Sequence, residues 1–322
     1  MAQFNPFLFY SNKLQKLFVK ASQQKNPALW LHENDARTIL FMLEALTRIH
    51  NKAFNDKLFY KWNKRFKKLE DVFGEIDQYM TLENEFKTNK KVSKEVLKYF
   101  RVNANNFTEK CNQRLIAKDW LNNKLNSFDH KISEFNIEYN KEYLDKLRFT
   151  ILKEIDAIFS FLEKSKFQFT KIEEEVHELR RKLRWFSIYA QALNGLIQLK
   201  KTQTKIKFQI NYFTEDVLNS PYNILPKRPK NISVIEFNHD AFFALSWMIL
   251  KLEDLKDKGL KIQKLSDAIF IPEDITRQQA EEKAISILGF ESDIQKNILQ
   301  QSSDLVSVFV LKDKVLNSLI IS

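Results

Sequence analysis

Glycine and proline are so scarce in this chain that they decide its fold class. The 322 residues include four glycines and six prolines. Sheet-rich proteins and dinucleotide-binding α/β folds need many tight turns, and tight turns depend on these two residue types. Apolar residues make up 44% of the chain, enough to bury a core. They recur at helical spacing over most of its length. The sequence therefore predicts an all-α protein built as helical bundles of long antiparallel helices.

The predicted helices and breaks divide the chain into two bundle halves, which we expect to be duplicated. The first half is predicted over 1–130 and the second over 131–270. Three prolines within 219–230 forbid a helix there and predict a long surface connection. Residues 271–322 are predicted to be a C-terminal extension, and its last part fits either a small hairpin or a final helix.

A short repeated sequence supports the duplication. Lys68-Leu-Glu-Asp71 recurs as Lys251-Leu-Glu-Asp254, each near the predicted end of a helix. Gly74 and Gly259 follow the two copies, and we expect each glycine to end or kink its helix. This match of four residues indicates a duplicated helical unit.

One predicted helix collects a histidine and three arginines on a single face. We predict this helix over 171–202, continuing past Gly195, with Thr170 and Glu173 as a capping box at its start. The residues that share the face, here called the His/Arg face, are spaced i, i+3, i+4 and i+7: His177, Arg180, Arg181 and Arg184. We expect no carboxylate to match these arginines. Such a cluster indicates either an anion site or a solvated surface.

The charge balance favours acidic partners. The formal net charge is +11, from 52 basic and 41 acidic residues, and the pI is near 9.4. Nucleic acid, polyphosphate and an anionic membrane surface are all compatible partners. The N-terminus lacks a basic region and a cleavage site, and no window approaches a membrane-spanning length of apolar residues. We therefore expect a cytoplasmic protein without a transmembrane segment.

Catalytic and metal-binding patterns are weak in this sequence. A single cysteine, Cys111, excludes a disulfide or a cysteine-based zinc site within one chain. Phosphate-binding glycine loops and paired-histidine zinc motifs are missing from the sequence. His239-Asp240 is an adjacent pair, and we expect Asn238 or Asp240 to cap a helix there rather than to bind metal. We predict no catalytic residue, no metal and no cofactor, and hence a non-enzyme.

The His/Arg face resembles a known signature. The pattern His177-x-x-Arg180-Arg181-x-x-Arg184, followed by an aromatic residue and Tyr189, is similar to the signature helix of the CHAD (conserved histidine α-helical domain) family. This resemblance implies two helical bundle halves related by an internal repeat. It also implies binding of inorganic polyphosphate through a basic central surface, with no catalytic activity. The four residues of the His/Arg face would be the phosphate contacts of the second half.

The first half departs from the family pattern. If Arg37 is aligned with Arg180, Asn34 stands where the histidine should be and Phe41 where a basic residue is expected. His32 is out of phase by two residues. Basic residues cluster further on, so the predicted polyphosphate contacts of the first half are Arg37, Lys64, Arg65 and Lys68, beside Lys61. The proline-rich connection also differs from the compact family unit.

Four functions remain open on the sequence alone. The leading hypothesis is non-enzymatic polyphosphate binding, and the alternative is a helical protein-interaction scaffold whose basic face is merely solvated. Unspecific nucleic-acid binding is the third, because Trp62 and Phe66 lie among basic residues, although helical spacing favours a core role for both. An enzyme acting on phosphorylated substrates comes last. The oligomeric state is left open.

Overall fold

The structure, a computed structural model, describes residues 4–135, 137–202 and 207–321. It is all-α, as predicted, apart from two short strands. The chain forms two compact units, Met1–Glu138 with Ile271–Asp274, and Tyr139–Phe270 with Ile275–Ser322. The second unit thus takes up most of the segment that the sequence sets apart as a C-terminal extension.

The first unit is built from helices with defined caps. They are α1 (Pro6–Ala21), α2 (Pro27–Glu33), α3 (Ala36–Phe54), α4 (Lys57–Phe86), α5 (Lys94–Ala117) and α6 (Lys124–Glu134). The side chains of Asn5 and Ser93 accept N–H groups of the first turns of α1 and α5. Asn55, in the left-handed region with φ 51°, ends α3, and the Asp56 side chain caps α4. This two-residue connection turns α3 and α4 into a helical hairpin.

Aromatic side chains fill the core of the first unit. The ring of Trp62 lies 4.8 Å from that of Phe128, and Phe66 lies 5.2 Å from the same ring. Phe7 and Phe59 stack with their centroids 5.5 Å apart. Because Trp62 and Phe66 are buried, they stabilise the unit and offer no platform on which a nucleic-acid base could stack.

The second unit begins with α7 and ends in a set of short helices. Its elements are α7 (Lys141–Lys164), a π turn (Ile172–His177), α8 (Glu178–Ala192), β1 (Ile197–Lys200), α9 (Glu215–Leu218), a 3₁₀ turn (Pro221–Asn223), β2 (Ile235–Asn238), α10 (His239–Phe270), α11 (Arg277–Leu288), α12 (Ile294–Ser307), a second π turn (Val308–Lys312) and α13 (Val315–Ser318). The two strands pair in parallel, with Ile197 opposite Ile235. Buried side chains of α8 and α10 supply much of the core.

The predicted helix over 171–202 is wrong at its C-terminal end. The α-helix stops at Ala192 and the chain continues as β1. Gly195 has φ +101°, which side chains other than glycine rarely adopt, and a Cβ there would lie 2.2 Å from the carbonyl oxygen of Lys227. The glycine is required because the chain turns sharply against another backbone segment.

The expectation that Gly74 and Gly259 end their helices is also wrong. Helix α4 continues through Gly74, and α10 continues through Gly259. At Gly74 the space of a side chain is taken by the guanidinium group of Arg37, and at Gly259 by the side chain of Ile172. Both glycines therefore serve close packing inside a helix, which outweighs their poor helix propensity.

The C-terminal segment is mainly helical, which agrees with the final helix and not with the hairpin among the two expected structures, although the helix is interrupted. Helix α12 runs into a π turn and the short α13, and Ile320 then forms an antiparallel bridge to Phe237. The backbone N–H of Asn238 donates to the carbonyl oxygen of Leu319 at 2.9 Å. The backbone N–H of Ile321 donates to the carbonyl oxygen of Glu236 at 3.0 Å. The tail thereby adds a third segment beside β2.

Across the described ranges, no helix is both long enough and apolar enough to cross a lipid bilayer.

Candidate anion-binding surfaces

The helix start beneath the His/Arg face differs from the predicted capping box. The backbone N–H groups of Thr170 and Lys171 both donate to the carboxylate of Glu175, the second at 2.8 Å. A π turn places one more residue in each turn than an α-helix does, and Val176 N–H donates to Lys171 C=O at 3.4 Å. The capping carboxylate is therefore Glu175, and Glu173 is left to contact Nδ1 of His177 at 3.0 Å.

Arg180 lies largely inside the second unit. Its side chain is 11% exposed, and Nε forms an ion pair with Oε2 of Glu253 on α10. Burial, followed by the charge of Arg184, lowers the pKa of Arg180 to about 10, while Glu253 and Asp257 oppose the shift. Arg180 stays charged at neutral pH. The expectation that no carboxylate matches these arginines is wrong for this residue, because α10 supplies one.

The rest of the His/Arg face is partly engaged as well. Arg181 is 48% exposed, and its Nη1 lies 3.5 Å from Oε2 of Glu178. Lys182 shares the same glutamate, with Nζ 3.2 Å from Oε1. Arg184 is half-buried and close enough to lower the pKa of Arg180. The face therefore presents one well-exposed guanidinium, that of Arg181, instead of three.

In the first unit, Arg37 is held by two carboxylates. Its Nε lies 2.8 Å from Oε1 of Glu70 and its Nη1 lies 2.9 Å from Oδ2 of Asp77. His32 Nε2 lies 3.4 Å from the other oxygen of Asp77. The hydrogen bond from His32, with help from the charge of Arg37, lowers the pKa of Asp77 against the effect of burial. Arg37 thus has its anionic partners within the protein.

The repeated tetrapeptide supplies the glutamate of an arginine–glutamate ion pair in each unit. Glu70 belongs to Lys68-Leu-Glu-Asp71 and Glu253 to Lys251-Leu-Glu-Asp254. Each glutamate binds the arginine that lies in the first turn of the helix packed against it, Arg37 on α3 and Arg180 on α8. Each unit therefore contains an arginine–glutamate pair that joins a shorter helix to a longer one. The two pairs correspond when the two sequences are aligned with Arg37 opposite Arg180.

Lys64, Arg65 and Lys68 lie away from Arg37, along an outer side of α4. The Arg65 guanidinium stacks over the ring of Trp62 at 4.5 Å, and burial lowers its pKa. Lys64 Nζ lies 4.2 Å from the centre of the Tyr60 ring and contacts its hydroxyl. Lys68 is exposed, and its backbone carbonyl accepts a hydrogen bond from Arg114 of α5.

Two lysines from a distant part of the chain join this side of α4. The ring of Trp120, in the turn between α5 and α6, packs 6.2 Å from that of Trp62 and 5.9 Å from that of Phe66. Lys118 and Lys124 flank this turn, and the Lys124 N–H donates to the carbonyl of Asp119 at 3.0 Å. Because Trp120 packs against α4, the neighbouring Lys118 and Lys124 lie close to the side of α4 that bears Lys61 and Arg65.

We call the resulting group the α4–α6 basic cluster: Lys61, Arg65, Lys118 and Lys124. Burial, then the charges of Arg65, Lys118 and Lys61, lower the pKa of Lys124, and Asp119 only partly offsets them. Among the described residues, no carboxylate lies within ion-pair distance of these four cations. The cluster was missed in the sequence because its two halves lie far apart along the chain.

A buried carboxyl group also escaped the sequence analysis. Glu44 of α3 is buried, and burial together with the charges of Glu70 and Asp71 raises its pKa to about 7, against the effect of Lys67 and Arg48. Burial also raises the pKa of Glu70, although Arg37 opposes the change. The Glu44 carboxyl group, with a pKa of about 7, therefore changes its charge near neutral pH. It lies on the buried face of α3, where sequence periodicity indicated apolar residues.

Metal-binding groups are not assembled in the ranges that the structure describes. No three histidine, cysteine, aspartate or glutamate side chains come together there. The Nδ1 atom of His239 lies 2.9 Å from Oδ1 of Asp240, and the Asn238 side chain accepts the Ala241 N–H at 3.0 Å. The predicted capping role of Asn238 is confirmed.

No protein-family model, no curated protein and no solved structure matches this chain. The resemblance to the CHAD family accordingly depends on the residues of the His/Arg face and their spacing.

Proposed function

We propose that this protein is a non-enzymatic polyanion-binding protein of the cytoplasm, with inorganic polyphosphate as its ligand class. The observation that carries the proposal is the α4–α6 basic cluster, whose two chain segments are joined by the packing of Trp120 against Trp62 and Phe66 and whose cations have no ion-paired carboxylate among the described residues. Such a surface costs electrostatic free energy in the unbound protein. An anion with closely spaced charges relieves that repulsion, and its affinity falls as salt concentration rises.

The chemistry of the cluster suits phosphoryl groups. Arg65 offers a planar fork that can bind two oxygens of one phosphoryl group, whereas Lys61, Lys118 and Lys124 each offer a point charge. Lys64 and Lys68 extend the surface along α4, since they lie about one helical turn from Lys61 and Arg65. A chain of phosphates can therefore follow the outer side of α4.

The His/Arg face contributes less in this proposal than the sequence suggests. Arg180 is committed to Glu253, and His177 contacts Glu173. Arg181, which is 48% exposed, is the member best placed to reach an external anion from the second unit. We expect this face to act as an auxiliary contact, with an affinity below that of the α4–α6 basic cluster.

The test is binding to long-chain polyphosphate, measured over a range of salt concentrations with duplex DNA as competitor. We expect the quadruple variant Lys61→Gln, Arg65→Gln, Lys118→Gln and Lys124→Gln to lose at least about tenfold in affinity and to flatten the salt dependence. We expect the variant Arg181→Gln to lose no more than about threefold. Replacing Arg180 is avoided because its ion pair with Glu253 supports the fold.

A charge-matched control separates a site from general basicity. The variant Lys16→Gln, Lys25→Gln, Lys94→Gln and Lys131→Gln removes the same number of charges from scattered exposed lysines of the first unit. It should bind polyphosphate almost as well as the original protein. Equal losses in the two quadruple variants, or full displacement of polyphosphate by equimolar DNA phosphate, would reduce the binding to general basicity and refute the proposal.

The ion pairs of the His/Arg face favour a second candidate, a helical protein-interaction scaffold. In this candidate Arg180 and Glu253 only fix α8 against α10, and the remaining basic residues are solvated. The same titration decides between the two functions. No binding of polyphosphate at physiological salt, with the fold intact by circular dichroism, would favour the scaffold.

A further inference from the structure

The proline-rich connection of the second unit exposes large apolar side chains. Tyr222 is 63% exposed, Ile224 is 74% exposed and Leu218 is 50% exposed. The three lie within one short segment, residues 218–230, which has no part in the polyanion site proposed above. Scattered exposed apolar residues are ordinary, but a close group on one segment marks a surface that contacts another molecule.

Side-chain hydrogen bonds hold the backbone of this segment in place. The Gln191 side chain, at the end of α8, donates to the carbonyls of Tyr222 and Ile224 at 2.8 and 3.1 Å. Asn223, between them, turns inward, is buried, and donates to the carbonyl of Val217 at 2.8 Å. Tyr222 and Ile224 therefore point outward because the backbone between them is fixed from the inside.

A second anchor holds the following residues. The Gln198 side chain donates to the carbonyl of Pro226 at 2.9 Å. The backbone of Gly195 approaches Lys227 so closely that only glycine fits. With its backbone already ordered, the segment loses little conformational entropy when its side chains meet a partner.

Cations lie immediately beside the exposed apolar residues. Lys227, Arg228 and Lys230 are exposed, and within the described ranges no carboxylate forms an ion pair with them. Arg228 Nε donates to the carbonyl of Ile232 at 3.1 Å, which leaves the outer nitrogens of the guanidinium for an external anion. Glu215 and Asp216, in the first turn of α9, are the acidic residues nearest to the segment in sequence.

We propose that residues 218–230 dock this protein onto an anionic lipid bilayer. Ile224 and Leu218 would enter the boundary between headgroups and acyl chains, and Tyr222, which has an apolar ring and a polar hydroxyl, suits the same depth. Lys227, Arg228 and Lys230 would bind anionic headgroups. A soluble polyanion needs the cations but gains nothing from the apolar side chains, so the combination favours a membrane surface.

The first experiment is co-sedimentation of the full chain with phosphatidylcholine vesicles, with and without phosphatidylserine. We expect binding to the anionic vesicles and weak binding to the neutral ones. The variant Tyr222→Ser and Ile224→Ser should bind anionic vesicles about tenfold more weakly, because it removes the inserted apolar area. The control variant Phe149→Ser and Leu152→Ser removes an exposed apolar pair from α7 and should bind normally.

Removing positive charges and removing negative charges near this segment should change vesicle binding in opposite directions. Lys227→Gln, Arg228→Gln and Lys230→Gln should each weaken vesicle binding about fivefold. The variant Glu215→Gln and Asp216→Asn should strengthen it, since it removes repulsion from the headgroups. Circular dichroism of each variant confirms that the fold is retained.

Insertion is tested directly with a fluorophore sensitive to polarity at position 224. The substitution Ile224→Cys creates the labelling site, and native Cys111 does not compete because it is fully buried and burial raises the pKa of its thiol to about 12. Anionic vesicles should shift the emission to the blue. An unchanged spectrum would overturn the proposal, as would a dimer that the variant Tyr222→Ser and Ile224→Ser dissociates, which would assign the surface to self-association.

A final comparison separates membrane docking from polyphosphate binding. The variant that removes the α4–α6 basic cluster should lose polyphosphate and keep both vesicle binding and the blue shift. If that variant loses vesicle binding while Tyr222→Ser and Ile224→Ser retains it, the attraction is general electrostatics and the docking proposal fails, whatever the outcome for polyphosphate.

Discussion

The arginine–glutamate pairs of the two units are alike in position and opposite in electrical surroundings. In the first unit Arg37 is the guanidinium between two carboxylates, Glu70 and Asp77. In the second unit Arg180 shares Glu253 with Lys256, whose Nζ lies 3.2 Å from Oε1. Lys256 also pairs with Asp257 at 2.7 Å. In the second unit Arg180, Arg184 and Lys256 thus lie near two carboxylates, whereas in the first unit two carboxylates hold one arginine.

This difference means that the same sequence register does not give the two arginines equal access to an external anion. An arginine between two carboxylates attracts no further anion, because its charge is already compensated. The second unit keeps an excess of positive charge near its pair, with Arg184 lowering the pKa of Arg180. In the first unit the excess lies elsewhere, on the α4–α6 basic cluster. A repeated motif can therefore conserve a contact between helices while the charged surface lies in a different place.

The largest expected effect tests how far each pair supports its unit. We expect Arg37→Met to destabilise the first unit by about 3–5 kcal/mol, because it leaves Glu70 buried without its cation. Arg180→Met should cost the second unit about 1–2 kcal/mol, since Glu253 is partly exposed and keeps Lys256. Amide hydrogen exchange of α4 and α10, followed by mass spectrometry, measures each unit separately.

The double variant Arg37→Met and Glu70→Gln serves as its control. It should recover much of the loss, because the uncompensated charge is gone. Equal destabilisation of the two units by the single arginine variants would contradict the difference in surroundings described above.

The next effect is a pH dependence confined to the first unit. The pKa of Glu44 is raised from 4.5 to about 7 in the folded state, so the folded protein binds more protons than the unfolded chain between these values. Glu44 should therefore lower the stability as pH rises through this window, by about 3 kcal/mol. His50, which is buried on α3 and has its pKa lowered from 6.5 to about 4 by burial, raises the stability over an overlapping window. The position equivalent to Glu44, seven residues after Arg180, is Ser187, and we expect no such dependence in α10.

Glu44→Gln is the matched variant for this prediction. It should remove the contribution of Glu44, so that the stability measured by exchange in α4 rises with pH between about 4 and 6.5 through His50, and it should stabilise the first unit at pH 8. An unchanged slope would show that Glu44 is already ionised in the folded protein at low pH.

A smaller effect distinguishes the two glycines inside the long helices. A Cβ at Gly259 would lie 2.6 and 2.9 Å from two atoms of Ile172, so Gly259→Ala should cost about 1–2 kcal/mol despite the better helix propensity of alanine. A Cβ at Gly74 would meet the movable end of Arg37 at 2.7 Å, so Gly74→Ala should be nearly neutral. Urea unfolding followed by circular dichroism measures both.

Variants of the side chains that contact the two glycines test the same prediction more specifically. Adding Ile172→Ala to Gly259→Ala should remove part of the clash, and Gly74→Ala should become stabilising when combined with Arg37→Met. If Gly259→Ala stabilises the protein by itself, the close packing against Ile172 is incorrect.

The smallest effect concerns His177. Its contact with Glu173 is an i,i+4 pair near the surface, so His177→Gln should change the stability of the second unit by no more than about 0.5 kcal/mol. Thermal unfolding at neutral pH measures this change. A loss several times larger would mean that His177 has a structural role that the polyanion proposal does not include.

Several of these features were visible in the sequence, and others were hidden for a physical reason. Helical periodicity correctly placed the apolar faces and predicted that Trp62 and Phe66 belong to the core, because periodicity depends on residues within a few turns. It did not predict the ion pair of Arg180 with Glu253, the approach of Lys124 to Arg65, or the packing of Gly259 against Ile172. Each of these contacts joins helices that are far apart along the chain.

The sequence by itself determined that this chain is helical and basic, because scarce glycine and proline and a net charge of +11 are properties of composition. It also contained the repeated Lys-Leu-Glu-Asp that marks both arginine–glutamate pairs. Only the tertiary structure decided which of the described cations have a carboxylate partner within the protein and which have none. The reason is that electrostatic free energy depends on distance in space, and helix packing sets those distances between residues whose positions in the sequence are unrelated.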